Sequence, residues 1–172
     1  CDAKGKVLSV FRLINRDGAH HLLQTKSSVE TSLKELKKFG VFAKVDIEQA
    51  NDLAFAALIG EQTKAIVKQH FGSTPDSLSP VLQVGSTTIV YIAGNSRRYL
   101  IIDNQANIDK LLGDFSLPIF EDSTWQLFEI NEGFPILTET SVNEYVPQML
   151  NIDAIHGISF TKGCYLGQET VA

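Results

Sequence analysis

The sequence has little cysteine and no long apolar run. Its 172 residues include only two cysteines, Cys1 and Cys164, at opposite ends of the chain. Such a pair is neither a disulfide framework nor a metal-ligand pattern, and it fits a reducing compartment. The longest apolar runs, such as residues 53–60, are too short to cross a bilayer, and no signal-like segment opens the chain. We therefore expect no membrane partner and no metal site, and a location in the cytoplasm, or in the mitochondrial matrix if the protein is eukaryotic.

Positive charge is also in deficit. The chain carries 15 basic and 20 acidic residues, for a net charge of −5. A mildly acidic protein has no global attraction for nucleic acid, so DNA is not an expected partner, and any RNA contact would need a local basic patch. Two candidate patches are Lys34, Lys37, Lys38 and Lys44, and the pair Arg97 and Arg98. We interpret them as solvated surface because we recognise no base-stacking aromatics among the charges, and direct tRNA binding stays open.

Hairpin and helix signals alternate along the chain. Asp17 and Gly18 separate two strand-like runs and predict a hairpin. Residues 27–39 predict a helix with a Ser27/Glu30 capping box and an end at Gly40. The remaining predicted elements are strands at 43–47, 53–59 (buried), 81–84, 87–93 and 98–102, and helices at 61–71, 104–112 (ending at Gly113) and 123–129. This alternation predicts an α+β fold, in which antiparallel sheets have helices packed on one face.

The densest group of unusual residues lies at 162–169. Gly163 and Gly167 flank Cys164 and permit a tight turn. A helix that begins near Gln168 would aim its free N–H groups at this turn, and Lys162 adds a positive charge. Both effects would lower the pKa of Cys164, which makes it a candidate reactive thiol or redox sensor. The alternative is a small apolar side chain buried in a turn, as free cysteines often are.

The order Lys-Gly-Cys-Tyr-Leu-Gly-Gln-Glu at 162–169 is the complete signature of the YgfZ family. Residues 1–6, 36–45, 125–135 and 157–160 also look like segments of that family. The chain thus resembles the YgfZ-type folate-binding proteins, which are relatives of the folate-dependent aminomethyltransferases. The resemblance implies a GcvT/YgfZ-like folate-binding fold, here as a fragment that lacks its N-terminal start and a C-terminal β domain. It divides the chain into residues 1–50 from a first folate-binding domain, a ferredoxin-like domain at 51–130, and a return segment at 131–172.

The resemblance also implies a function and a set of site residues. Family members bind tetrahydrofolate or another folate and support iron–sulfur cluster assembly or repair and tRNA modification. Iron–sulfur proteins such as tRNA methylthiotransferases would be partners. By this similarity Cys164 is the functional thiol with Lys162 beside it, and the folate-binding residues are Trp125, Asn131, Glu132, Tyr165, Gln168 and Glu169.

Two departures bear on whether the chain belongs to an enzyme. Aminomethyltransferases carry a catalytic aspartate on the strand that corresponds to residues 7–11, and this stretch contains no acid. Relatives commonly have a glutamate two positions before Gly133, where this chain has Asn131, and an amide lacks the charge that strengthens a carboxylate contact. The first departure argues against aminomethyl transfer and favours a non-catalytic or weakly catalytic folate-binding protein, and the second bears on the affinity for the pterin. The alternatives are a tetrahydrofolate-dependent aminomethyltransferase-type enzyme and a ligand-free interaction module on the same fold.

Overall fold

The Asp17-Gly18 pair forms the predicted hairpin turn. In the computed structural model, which describes residues 1–161, 163 and 167–171, strand β1 is Phe11–Arg16 and strand β2 is Ala19–Gln24. Asp17 has φ 51° and Gly18 has φ 77°. Two successive left-handed residues are what a type I′ turn requires, so the hairpin prediction is confirmed.

Helix α1 is Lys26–Phe39 and ends at Gly40 as predicted, but its start differs from the prediction. The N-cap is Thr25, and no side chain caps the helix. The Ser27 hydroxyl donates instead to the carbonyl of Leu137 at 2.5 Å. The Ser27/Glu30 capping box is therefore wrong, because a tertiary acceptor takes the hydroxyl that a local cap would use.

The strand predicted at 43–47 does not form. The chain makes a 3-10 turn at Gly40–Phe42 and then runs through residues 43–50 without regular structure. A strand has to satisfy its N–H and C=O groups on a neighbour, and no strand in the described part of the chain pairs with this segment. Alternation of apolar residues alone could not supply that neighbour.

A four-stranded antiparallel sheet follows, with the strand order β3-β6-β5-β4. Its strands are β3 at Ala54–Ile59, β4 at Val81–Val84, β5 at Thr87–Ile92 and β6 at Arg98–Asp103. Three consecutive strands are joined as a meander, as predicted. Strand β3 lies at the sheet edge, where the Phe55 side chain is 52% exposed, so its predicted full burial is wrong.

Helices α2 (Thr63–Phe71) and α3 (Gln105–Phe115) pack on one face of this sheet. The core between helices and sheet consists of Leu58, Val67, Ile89, Tyr99, Ile101, Ile108 and Leu111. The fold is thus α+β with antiparallel sheets. The element order β-α-β-β-β-α differs from the ferredoxin-like β-α-β-β-α-β in the connection between its last two strands. Helix α3 passes through Gly113 and ends at Ser116, which has φ 49°, so the predicted end at Gly113 is wrong.

The rest of the described chain contains helix α4 at Asp122–Asn131, a 3-10 turn at Pro147–Leu150 and the short helix α5 at Gln168–Val171. Contacts divide the chain into two units. The first comprises Cys1–Leu13, Leu22–Gln49 and Glu129–Ala172, and its core holds Val7, Leu137 and Ile152. The second comprises Ile14–His21 and Ala50–Phe128 and contains the four-stranded sheet. None of the helices described is long and apolar enough to cross a membrane.

Candidate functional site

Two of the sequence motifs, separated by most of the chain, meet in the first unit. The Asp2 carboxylate accepts the backbone N–H groups of Lys4 at 2.9 Å and Lys6 at 2.8 Å, which closes a turn with Gly5 at φ 75°. Gly167 has φ 83°, and a β-carbon there would lie 2.7 Å from the Asp2 carbonyl oxygen and 2.8 Å from the Gly5 nitrogen. Both positions therefore require glycine, for conformation and for space. The turn at residues 2–6 is a packing partner of the signature segment.

Hydrogen bonds also hold the end of the signature segment. The Thr170 N–H donates to the Gly167 carbonyl at 3.2 Å. The Gln148 side-chain amide donates to the carbonyls of Thr170 at 3.2 Å and Val171 at 2.8 Å, which would otherwise lack partners at the end of α5. Of the predicted folate ligands on α5, Gln168 is half-buried and Glu169 is exposed.

The centre of the signature falls outside the described residues. Lys162, Cys164 and Tyr165 are among those not described. The predicted functional thiol and its two neighbours therefore stay predictions.

A buried ion pair that sequence reasoning missed lies near the end of α4. Arg12 donates to the two carboxylate oxygens of Glu129 at 2.6 Å and 3.2 Å. Glu129 is only 3% exposed, and the Arg12 guanidinium carbon lies 3.7 Å from the centroid of the Phe134 ring. A bidentate pair of this kind fixes both distance and orientation. The sequence signal was an acid between two apolar residues, Phe128 and Ile130, on a helix.

The predicted pterin ligands lie at the end of α4, where Asn131 is the last helical residue and Glu132 follows it. Gly133 has φ 73° and donates its N–H to the Ile130 carbonyl at 3.0 Å, and the Phe134 N–H donates to the Glu129 carbonyl at 2.8 Å. These bonds end the helix in the way that a left-handed glycine commonly does. Asn131 is exposed and Glu132 is half-buried. The acid with the most buried carboxylate in this turn is Glu129, and its oxygens already bind Arg12.

Trp125, the predicted stacking residue, lies on α4 in the second unit. Its ring centroid is 5.0 Å from the guanidinium carbon of Arg98, within the range of a cation–π contact. Arg98 is fully buried on β6, so the interpretation of Arg97 and Arg98 as a surface patch is wrong. The indole is half-buried and retains exposed surface.

The side chains predicted to bind folate have suitable chemistry. An indole can stack on a flat heterocycle, and an amide with a carboxylate can pair with the polar edge of a pterin. Asn131, Glu132, Gln168 and Glu169 belong to the first unit and Trp125 to the second. Whether they act together stays a prediction.

The second unit contains a buried carboxylate at the end of β6. Asp103, which is 1% exposed, accepts the hydroxyl groups of Thr87 at 2.6 Å and Ser86 at 3.0 Å and the N–H of Asn104 at 2.7 Å. Burial raises the pKa of Asp103, but these donors together with Asn107 outweigh it and hold the pKa below its usual value. The arrangement anchors the turn between β4 and β5.

The lysines at 34–44 are exposed, as predicted, but aromatic side chains do lie among them. Phe39 is 60% exposed and Phe42 is 98% exposed. Exposed phenylalanines therefore do accompany these lysines, which the sequence analysis did not expect. Both phenylalanines look like core residues by type, which is why the sequence alone did not reveal their exposure.

No group of three or more His, Cys, Asp or Glu side chains suited to holding a metal ion occurs within residues 1–161, 163 and 167–171.

Comparison with known proteins gives consistent matches over the whole chain, although no protein-family model matches it. The chain is 61% identical over 172 residues to the tRNA-modifying protein YgfZ of Colwellia psychrerythraea. This match covers 100% of the chain and 53% of that protein. It is 40% identical to the proteins of the same name from Vibrio atlanticus and Photobacterium profundum, again over 100% of this chain and 51% and 52% of theirs. The chain spans about half the length of these curated relatives, and over that span it belongs to the YgfZ family.

Proposed function

We propose that the protein containing this chain acts in tRNA modification, as the names of its relatives say of them. The observation that carries the proposal is the identity of 61% over the full 172 residues. The packing of Gly167 against the turn at residues 2–6 supports it, because the signature segment and a second segment that resembles the family are in contact in this chain.

The finer proposal is a folate-binding protein that supports iron–sulfur enzymes of tRNA modification. A bound reduced folate would carry a one-carbon unit. Trp125 would stack on its ring, and Asn131 and Glu132, at the end of α4, would pair with its polar edge. The ion pair between Arg12 and Glu129 would act as a positioning element, because it holds the last turn of α4.

Cys164 is proposed as the functional thiol, with Lys162 stabilising its thiolate form. Support comes from the complete signature at 162–169 and from the ordered hydrogen bonds that follow it at 167–171. The absence of an acid at residues 7–11 favours binding over aminomethyl transfer.

A deletion and complementation experiment tests the tRNA proposal. The gene for the complete protein is deleted in its host, and methylthiolated nucleosides in bulk tRNA are measured by mass spectrometry. We expect the deletion strain to lose these nucleosides. The wild-type gene and the Cys1→Ser variant should restore them, and the Cys164→Ala variant should not. Unchanged nucleoside levels in the deletion strain would contradict the proposal.

Folate binding is tested separately in the complete protein. Tetrahydrofolate should quench a component of the tryptophan fluorescence that is missing from the Trp125→Phe variant. Calorimetry should show that this variant binds tetrahydrofolate more weakly than the wild type does. Phenylalanine keeps an aromatic ring against Arg98, so the fold is maintained. Equal folate affinity of wild type and variant would remove Trp125 from the site.

A further inference from the structure

Arg98 and Trp125 form a contact pair within the second unit. Tyr99 and Ile101 on β6 belong to the core that this strand shares with α2 and α3. Because successive side chains of a strand point to opposite faces, Arg98 lies on the other face of the sheet. Trp125 of α4 meets it there, and the guanidinium carbon lies 5.0 Å from the centroid of the indole ring.

The guanidinium of Arg98 is shielded from water. Arg98 is 0% exposed, and Ile92, which pairs with it on the neighbouring strand β5, is 3% exposed. Water and salt screen a buried charge much less than an exposed one. A cation–π contact is correspondingly stronger when the cation is desolvated. The contact with Arg98 therefore both holds the indole of Trp125 in place and polarises it.

Trp125 differs from Arg98 because its ring is not enclosed. The residue is half-buried and retains exposed surface. Since the guanidinium lies over one face of the indole, a flat ligand that stacks on Trp125 would use the opposite face. The three groups would then form layers in the order cation, indole and ligand.

A cation on one face of an indole changes which flat ring the other face prefers. An indole is electron-rich, and by itself it stacks best on an electron-poor ring. The cation draws π density toward itself and leaves the opposite face less negative. The pterin of folic acid is an oxidised, electron-poor ring, whereas the tetrahydropterin of a reduced folate is electron-rich. A cation behind an indole therefore favours the reduced ring relative to the oxidised one.

We infer that Arg98 is a specificity-determining residue, which acts through Trp125 to favour a reduced folate over an oxidised one. The inference rests on the proposed folate binding and goes further, since it names the oxidation state that the site selects and the residue that selects it. Arg98 is a positioning residue in this arrangement, because it holds and polarises the indole from the face that the ligand does not touch.

The test compares the affinity of the complete natural protein for tetrahydrofolate, kept free of oxygen, with its affinity for folic acid, both by calorimetry. The wild type should bind tetrahydrofolate more tightly. Arg98→Met removes the charge and should reduce this preference at least about fivefold, the size of a cation–π contact. Arg98→Gln keeps an amide donor without the charge, should change the ratio in the same direction, and replaces Arg98→Met if that variant does not fold. Arg98→Lys keeps the charge and should retain most of the preference.

The matched control is Arg97→Met, at the neighbouring arginine, which donates to the Glu61 carbonyl at 3.2 Å and should leave the ratio as in the wild type. In a Trp125→Phe background, Arg98→Met should change the ratio less, because its effect passes through the indole.

A folded Arg98→Met or Arg98→Gln protein with the wild-type ratio would overturn the inference, even if both affinities fell, because a purely structural role weakens both ligands alike. A wild type that binds folic acid at least as tightly as tetrahydrofolate would also overturn it, without any variant. A wild type that binds neither compound would overturn the folate proposal together with this inference, so the two failures are distinguishable.

Discussion

Arg12 donates two hydrogen bonds to Glu129, at 2.6 Å and 3.2 Å, and the pair ties strand β1 to the last turn of helix α4. The Glu129 side chain is 4% exposed and that of Arg12 is 26% exposed. The guanidinium also lies 3.7 Å from the centroid of the Phe134 ring. The pair thus fixes the turn that carries Asn131 and Glu132, the two residues proposed to meet the pterin edge.

Breaking this pair should destabilise the protein strongly. Arg12→Ala leaves the Glu129 carboxylate buried without its cation, and we expect a loss of about 3 kcal/mol in the free energy of unfolding. Replacing both residues by Arg12→Met/Glu129→Leu should cost less than Arg12→Ala alone, since no buried charge remains. Urea unfolding measures both values. Lys38→Ala, which removes an exposed ion pair, serves as a control and should change stability by less than about 1 kcal/mol.

The close approach of Gly5 and Gly167 predicts that neither tolerates a side chain. In Gly167→Ala the new β-carbon would meet backbone atoms at 2.7–2.8 Å in a left-handed conformation, so the turn has to move. We expect a loss of at least about 2 kcal/mol in thermal unfolding and faster proteolysis near residue 167. Gly18→Ala is the matched control. Its φ is +77° but nothing lies within 4 Å, so we expect a cost of only about 1 kcal/mol. Equal losses in the two variants would argue against the packing described.

The environment of Asp103 predicts that the free energy of unfolding decreases at acidic pH. Its pKa is held below the usual value in the folded state, so its contribution to stability is fully present above the unfolded value of about 3.9 and is lost as the pH falls through the folded pKa. Asp103→Asn should cost about 2 kcal/mol at neutral pH and should flatten the stability profile below about pH 4. Asp109→Asn, an exposed carboxylate on α3, should leave neutral-pH stability within about 0.5 kcal/mol. A profile for Asp103→Asn that is parallel to that of the wild type would contradict the assignment.

Reactivity at Cys164 can be measured even though this residue lies outside the described part of the chain. In a Cys1→Ser background, alkylation followed against pH should give an apparent pKa below the free-cysteine value of about 8.5. Lys162→Gln should move the apparent pKa upward, because it removes the neighbouring positive charge. A value at or above about 8.5 in the Cys1→Ser protein would favour the alternative of an inert, buried thiol.

Local signals predicted much of the fold. Asp17-Gly18 demands two left-handed residues and gives the hairpin, and Gly72, with φ 78°, ends α2 as predicted. The meander of β4, β5 and β6 followed from alternation and turn residues. These features depend on neighbours in sequence, so sequence patterns are sufficient for them.

Features that depend on distant partners were not predictable. The Ser27 hydroxyl binds a carbonyl 110 positions away instead of capping its own helix. The segment at 43–47 has strand-like alternation but no strand beside it. The pairing of Arg12 with Glu129 and the exposure of Phe42 likewise depend on which residues, distant in sequence, pack beside them. The motif at 162–169 was visible because glycine spacing and cysteine are rare, not because its surroundings could be inferred.

The division of the chain has a consequence for the order of events on the ribosome. Most of the second unit is one continuous stretch, Ala50–Phe128, whereas the first is assembled from three stretches that end with the last residues of the sequence. The four-stranded sheet can therefore form while synthesis continues, but the packing of the turn at residues 2–6 against Gly167 has to wait until residue 167 emerges. Closing so long a loop has an entropic cost, and residues 2–6 lack this packing partner until residue 167 has been synthesised.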